Sequence, residues 1–193
     1  MISEFINLIQ KDLNLFIKNK KGIVNDLVLF TNLNNVLLDS STVDNKIIIS
    51  LVNIDEEKLL QNPDNYAASR TEISYKNPAV WINIICLFTY YSKDHETYED
   101  IDLLENVIQY FQSRPRLDKT TVINPDNFPN NIENLRAEFV SLNFEQTNYL
   151  WELFGGNYHP SVLYKFRALP IDNLDESSGG PPITDTKVNS KQK

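Results

Sequence analysis

NLRAEFVSLNFEQTNYLWELFGGNYHPSVLYKFRALPI, residues 134–171, decides more about the fold than any other part of the chain. A strand-like run reaches Phe144 and a short aromatic helix follows to Phe154. Gly155 and Gly156 break that helix, and after Pro160 a second strand covers residues 161–171. Glycine supplies positive φ without steric cost, so the pair reads as a helix C-cap and a turn into the next strand. Two readings stand for the middle of this unit. Trp151 and Phe154, three residues apart, are spaced for core packing. Alternatively Trp151, Phe154, Asn157, Tyr158 and His159 form an aromatic surface that meets another subunit or partner.

Outward from this unit, residues 79–91 (AVWINIICLFTYY) read as a long strand. Its even positions, Val80 to Tyr90, are all apolar or aromatic, and its odd positions include Trp81, Ile85 and Leu87. A strand apolar on both faces belongs in the middle of a covered sheet, or is covered by a neighbouring subunit. Residues 46–54 (KIIISLVNI) are rich in β-branched side chains and predict another strand, and residues 70–75 a short one. The opening segment predicts an amphipathic helix. Ile2, Phe5, Ile6, Ile9, Leu13, Phe16 and Ile17 recur at spacings of three and four, with Ser3 as N-cap and Gly22 as the stop.

A second helix is expected over residues 95–114, with Ile101, Leu104, Val107, Ile108 and Phe111 as its buried stripe and Pro115 at its end. Acidic residues crowd its first turns, where carboxylates complement exposed amides. Residues 26–38 suit either a strand or a short helix. Residues 55–69 read as loop with at most one helical turn, and residues 117–131 as loop around a short β segment, Thr121 to Ile123. The expected fold is α+β, with a mixed, mainly antiparallel sheet of about four to six strands packed by two main helices. Residues 1–172 form one domain. Residues 173–193 are poor in large apolar side chains and form a tail, flexible or docked on a partner.

Composition narrows the function. The 193 residues are 41% hydrophobic and 11% aromatic, enough for a packed core without metals or disulfides. The single cysteine, Cys86, lies in an apolar run and reads as a small buried hydrophobe. A formal charge of −8 and a pI near 4.8 repel a phosphate backbone, so no nucleic-acid partner is expected. The one basic cluster, Lys18, Lys20 and Lys21, complements the C-terminal dipole of the first helix. The N-terminus has no secretory leader and no apolar run reaches membrane-spanning length, so synthesis and folding in the cytosol without membrane insertion are expected.

The residues that carry chemistry are sparse. His95 and His159 fall in different elements, outside any H-x-x-x-H or H-E-x-x-H arrangement, and Cys86 has no cysteine partner. No phosphate-binding glycine loop and no nucleophile elbow occurs. The carboxylates between Asp94 and Asp102 read as an exposed helix start rather than as a pocket that would split their pKa values. Catalytic residues, metal ligands and cofactors are therefore expected to be absent.

Four segments in order carry a resemblance. They are Val52-Asn53-Ile54-Asp55-Glu56, Asn77-Pro78-Ala79-Val80-Trp81-Ile82-Asn83, Gln109-Tyr110-Phe111-Gln112, and the stretch from Leu150-Trp151 through Gly155-Gly156 and Pro160 to Tyr164. Together they resemble the tail-terminator, or cap, proteins of phage-tail-like contractile injection systems of the antifeeding-prophage and virulence-cassette type, over roughly residues 47–172. The resemblance implies a tail-terminator-like fold and a structural, non-enzymatic role. It implies a homohexameric ring whose partners are the terminal sheath ring and the terminal inner-tube ring, part of an assembled particle after synthesis. A monomeric adaptor or chaperone for another particle component, and an enzyme with an unrecognised site, are the alternatives.

Overall fold

The computed structural model describes residues 1–38, 43–58, 66–68, 73–76, 80–93, 98–130, 132, 134–171 and 176–178. Helix α1 (Ile2–Lys21) buries Phe5, Ile6, Ile9, Leu13 and Ile17 as its spacing predicts, and Leu8 with them. Ser3 is not its cap: the helix starts two residues earlier, with Met1 at the N-cap position and no side-chain cap. Gly22, at φ 67, closes it by donating its amide to the Lys18 carbonyl at 2.8 Å. The ambiguous stretch that follows holds both elements, strand β1 (Val28–Phe30) and helix α2 (Leu33–Leu38).

Strand β2 (Lys46–Glu56) runs two residues past its expected end. Strand β3 (Tyr66–Ala68) lies in a stretch expected to be loop, and pairs with β4 (Ile73–Lys76). Strand β5 (Val80–Tyr91) matches its pattern and helix α3 (Tyr98–Ser113) falls where a helix is expected; the helix start expected at His95 lies outside the described residues. Strand β6 (Arg116–Leu117) falls in the next expected loop. Thr121 to Ile123 is turn rather than strand, because Asp118 holds it through its carboxylate and carbonyl. Strand β7 (Leu135–Val140), helix α4 (Phe144–Leu153) and strand β8 (Ser161–Ile171) complete the deciding unit, and β9 (Glu176–Ser178) pairs with β4.

The main sheet has six strands in the order β1-β2-β5-β8-β7-β6. Only β1 and β2 run parallel; the other pairs are antiparallel. This is the expected mixed, mainly antiparallel sheet, with β5 near its centre. The three-stranded sheet β3-β4-β9 was not legible in the sequence.

Both faces of β5 are covered by the chain itself. On one face α1 and α3 pack over Ile47, Ile49, Ile84, Cys86, Phe88, Tyr164 and Phe166. Phe88 makes edge contacts with Phe111, Tyr164 and Phe166 at centroid separations of 5.5–6.4 Å. On the other face α2 and α4 pack over Ile48, Leu87, Tyr91 and Leu163. Of the two expected ways to cover this strand, the middle of a covered sheet is the one observed: two short helices complete the cover within one chain.

The buried stripe of α3 is also turned from its expected position. Leu103, Leu104, Val107, Tyr110 and Phe111 face inward, whereas Ile101 is 63% exposed and Ile108 37%. A buried acid accounts for the turn. Asp12 on α1 accepts the Tyr110 hydroxyl at 2.8 Å and the amides of Ile123 and Asn124 at 2.8 and 3.2 Å. Tyr110 must point inward to reach it, which rotates the outer isoleucines toward water.

Asp12→Ala would leave the buried Tyr110 hydroxyl and two half-buried backbone amides without their acceptor. A buried group that loses its partner costs ~1–3 kcal/mol, so a loss of about 3 kcal/mol is expected, read as a lower urea midpoint at unchanged slope. Ionisation adds an alkaline limit. Burial pushes the Cys86 thiol from 9.0 and the Tyr164 hydroxyl from 10.0 up to about 12 each. Burial, then the charge and hydrogen bond of Asp12, raise Tyr110 well above its ordinary value. Above pH ~9 the unfolded chain sheds these protons while the folded one keeps them, so stability present at lower pH falls as pH rises toward ~12. Thermal midpoints measured from pH 8 to 11 should decline through this window, and a Cys86→Ala variant should decline less steeply.

Candidate assembly surface

Helix α4 begins at Phe144 because Asn143 caps it. The Asn143 side chain accepts the Gln146 amide at 2.8 Å, and the Gln146 side chain accepts the Asn143 amide at 3.1 Å, a reciprocal capping box. The strand therefore stops at Val140, four residues short of its expected end, since the cap draws Phe144 into the helix. At the far end Gly156 donates to the Trp151 carbonyl at 2.8 Å and Gly155 to that of Glu152 at 3.3 Å. Both glycines have positive φ, 89 and 83, which the turn requires. The chain then passes Asn157 to Pro160, whose carbonyl accepts the Tyr90 amide at 3.2 Å, and enters β8.

Within this frame the five residues expected to share a partner surface divide. Trp151 (4% exposed), Phe154 (9%) and His159 (4%) are buried in the core under α2 and α4. Trp151 is its hub, with ring centroids of Phe154, Tyr158 and His159 at 6.1, 5.6 and 5.8 Å, and His159 lies 5.9 Å from Tyr91. For Trp151 and Phe154 this is the core packing that their spacing suggests, whereas His159, expected only at a partner surface, is buried beside them. His159 lies past the glycine pair but folds back beneath α4, because the bond from Tyr90 pulls the loop against β5. Asn157 and Tyr158 remain outside, Tyr158 at 68% exposure.

The sequence reading missed the outward apolar side chains of the same unit. Phe144 is 92% exposed, and Tyr149, Leu153 and, on β7, Phe139 are more than half exposed. The signal was present as helical phase. Leu150, Trp151 and Phe154 share one side of α4, which leaves Tyr149 and Leu153, four apart, on another. A cleft of about 300 Å³ runs between the end of β7, α4 and the start of β8, walled by Phe139, Val140, Leu142, Leu150, Trp151 and Tyr158. Its lining is apolar and hydroxylic, without a nucleophile poised beside a base. Among the described residues no three His, Cys, Asp or Glu side chains group to hold a metal ion, and no helix is long and apolar enough to cross a membrane.

The fold of this covered mixed sheet matches that of solved tail terminators. The chain is similar to the sheath/tube terminator, in its extended state, of the extracellular contractile injection system PVC. That similarity has a TM-score of 0.69 at 15% identity and covers 100% of this chain and 64% of the other. It is also similar to the tube-terminating cap of the anti-feeding prophage, with a TM-score of 0.65 at 13% identity over 96% of this chain and 60% of the other. The chain thus spans less than two thirds of the length of both terminators. Residues 6–185 match the Pvc16 N-terminal domain family, and the chain belongs to that family. No curated protein matches it.

The division of the aromatic unit has a direct consequence. Trp151→Ala removes the hub of a core and should cost ~3–5 kcal/mol of folding stability. Tyr158→Ala loses one edge contact at the surface and should cost about 1 kcal/mol or less. Urea unfolding of the two variants separates them, and equal losses would contradict the burial described above.

Proposed function

We propose that this chain acts as the structural cap of a contractile injection system. In this reading it forms a hexameric ring that ends the inner tube and the sheath at the end distal to the baseplate and joins the two layers. Its partners are further copies of itself, the terminal sheath ring and the terminal inner-tube ring, and it carries out no chemistry. The observation that carries the reading is the terminator fold itself, which extends over the entire chain rather than over one supersecondary motif. Membership of the Pvc16 N-terminal domain family supports it independently. Because the solved terminators are longer, the joining of the two layers is proposed here for the assembled protein.

The surface that meets neighbours in the ring is the outward side of the aromatic unit. Asn157 and Tyr158 belong to it, with Phe144, Tyr149 and Leu153 of α4 and Phe139 of β7 beside them. Exposed aromatic side chains around a shallow cleft are the usual anchors of such contacts, and a central one contributes ~2 kcal/mol or more to association. Trp151, Phe154 and His159 support this surface from beneath.

Deletion of the gene tests the reading. Without the chain, tubes and sheaths of uncontrolled length or prematurely contracted particles are expected in electron micrographs. Complementation with an Asn157→Ala, Tyr158→Ala double variant should leave the defect in place although the protein is folded. Particles of normal, uniform length from the deletion strain would sink the proposal.

A further inference from the structure

The helices on the two faces of the sheet carry patches of opposite charge. On one face α4 turns Leu150 and Trp151 into the core and leaves Glu145, Tyr149, Glu152 and Leu153 exposed. Glu145 and Glu152 stand two helical turns apart, ~10 Å, on one side of α4, with Tyr149 between them. The Tyr149 hydroxyl donates to Glu145 at 3.2 Å, a neutral bond that leaves the carboxylate its charge. Helix α4 contains no lysine or arginine, and neither carboxylate forms an ion pair among the described residues.

On the other face the C-terminal ends of α1 and α3 gather cations at one corner. The Phe16 ring has Lys20 Nζ 5.9 Å and the Arg114 guanidinium 5.4 Å from its centre, and the same guanidinium lies 5.1 Å from the Tyr110 ring. Arg114 donates to the Thr121 carbonyl at 2.8 Å, and the Thr121 hydroxyl to the Arg116 carbonyl at 2.9 Å, which ties Arg116 to the corner. Lys20 donates to Gln109 and Lys119 to Asn130, both neutral acceptors. Among the described residues none of these four cations forms an ion pair. Two acids lie close by. Asp118 is taken up by its own turn, accepting the amides of Thr120 and Thr121 at 2.8 and 3.0 Å, and Glu105 accepts Gln109 at 2.5 Å. Val24, just past the end of α1, adds apolar surface at 87% exposure. In a chain of net charge −8, such a corner is complementary to carboxylates from outside it.

We propose that the outward side of α4 in one copy docks on the Phe16–Arg114 corner of the next, so that the occupant of the corner is a second copy of this chain. The inference rests on the ring reading above and names the surface that α4 meets. Charge selects the arrangement. Two α4 sides together would set four carboxylates against one another, two corners would oppose cations, and only head-to-tail docking pairs opposite signs. Tyr149 also brings a ring to a surface rich in lysine and arginine, where a cation–π contact adds to the pairing. The two patches belong to helices on opposite faces of the sheet, so each copy gives its α4 to one neighbour and its corner to another. Such a contact is heterologous, and it closes into a ring when its rotation does. Exposed ion pairs contribute little individually, so Tyr149, Leu153 and Val24 hold the contact and the charges set its orientation.

Charge reversal on the full chain tests this, with Arg114 left in place because it also holds the Thr121 turn. A Glu145→Lys, Glu152→Lys variant has two basic patches, and a Lys20→Glu, Arg116→Glu variant has two acidic ones. By light scattering on a sizing column, the unaltered chain should form a closed oligomer, and each variant alone should be monomeric with unchanged circular dichroism. Mixed in equal amounts the two should assemble again in alternation, because every patch then meets its opposite. Two outcomes overturn the α4–corner contact while leaving the ring intact: variants that assemble alone as the unaltered chain does, or a mixture that stays monomeric. Normal assembly of the Lys20→Glu, Arg116→Glu variant with failure to restore particles in the deletion strain would assign the corner to another particle component, which also overturns the self-contact. A monomeric unaltered chain at every concentration overturns the ring reading itself. If a reversed variant misfolds, Glu145→Gln with Glu152→Gln replaces it. That variant should raise the concentration for assembly at least ten-fold at ~0.1 M salt and match the unaltered chain at ~1 M. An equal response at both salt concentrations contradicts the contact.

Discussion

Ten of the twelve residues of β5 are apolar or aromatic, on both faces of the strand, and the rest of the fold answers that constraint. A strand of this kind is unstable at a sheet margin or with one face in water. It therefore lies inside the sheet, between β2 and β8, and helices are required on both sides. The long helices α1 and α3 cover the face that carries Phe88 and Cys86. The short helices α2 and α4 cover the face that carries Leu87 and Tyr91. Trp151 belongs to that second layer, so a residue that could have served a partner surface is used for folding.

The residues used for folding and those left exposed are thus neighbours on one helix. Along α4 the side with Leu150 and Trp151 closes a core, while Tyr149 and Leu153 face outward. Asn157 and Tyr158 extend the outward side beyond the glycine turn. This proximity supplies rigidity: the capping box at Asn143 and the two glycine carbonyl bonds hold both ends of the helix, so its exposed side is presented in a fixed orientation.

Much of this was legible in the sequence where a physical period was strong. The double apolarity of β5, the threes and fours of α1, the glycine stop at Gly22 and the bounds of β8 all reflect local rules. The deviations share another cause, which is a contact made far along the chain. Ile101 and Ile108 fit a helical stripe, but the hydroxyl of Tyr110 reaches Asp12, 98 residues away, and turns α3. Phe144 continues a strand pattern until Asn143 and Gln146 are recognised as a cap, a signal that was present and overlooked. His159 lies past a glycine pair and reads as exposed, yet one backbone bond from Tyr90 draws its loop inward. Strand β6 has only two residues, too few for any period, and is set by its pairing with β7.

Asn14 on α1 has a consequence of a different kind. Its side chain accepts the amides of Leu27 and Val28 at 2.9 Å each and donates to the Val28 carbonyl at 3.0 Å. One carboxamide thereby imitates a short length of neighbouring strand, and the outer margin of β1 is occupied before any other chain approaches. Newly made protein consequently offers no template for indiscriminate cross-β growth at that point. Replacing this asparagine with an aliphatic residue would leave the Val28 amide and carbonyl open to a foreign strand, so a single buried carboxamide blocks strand addition there.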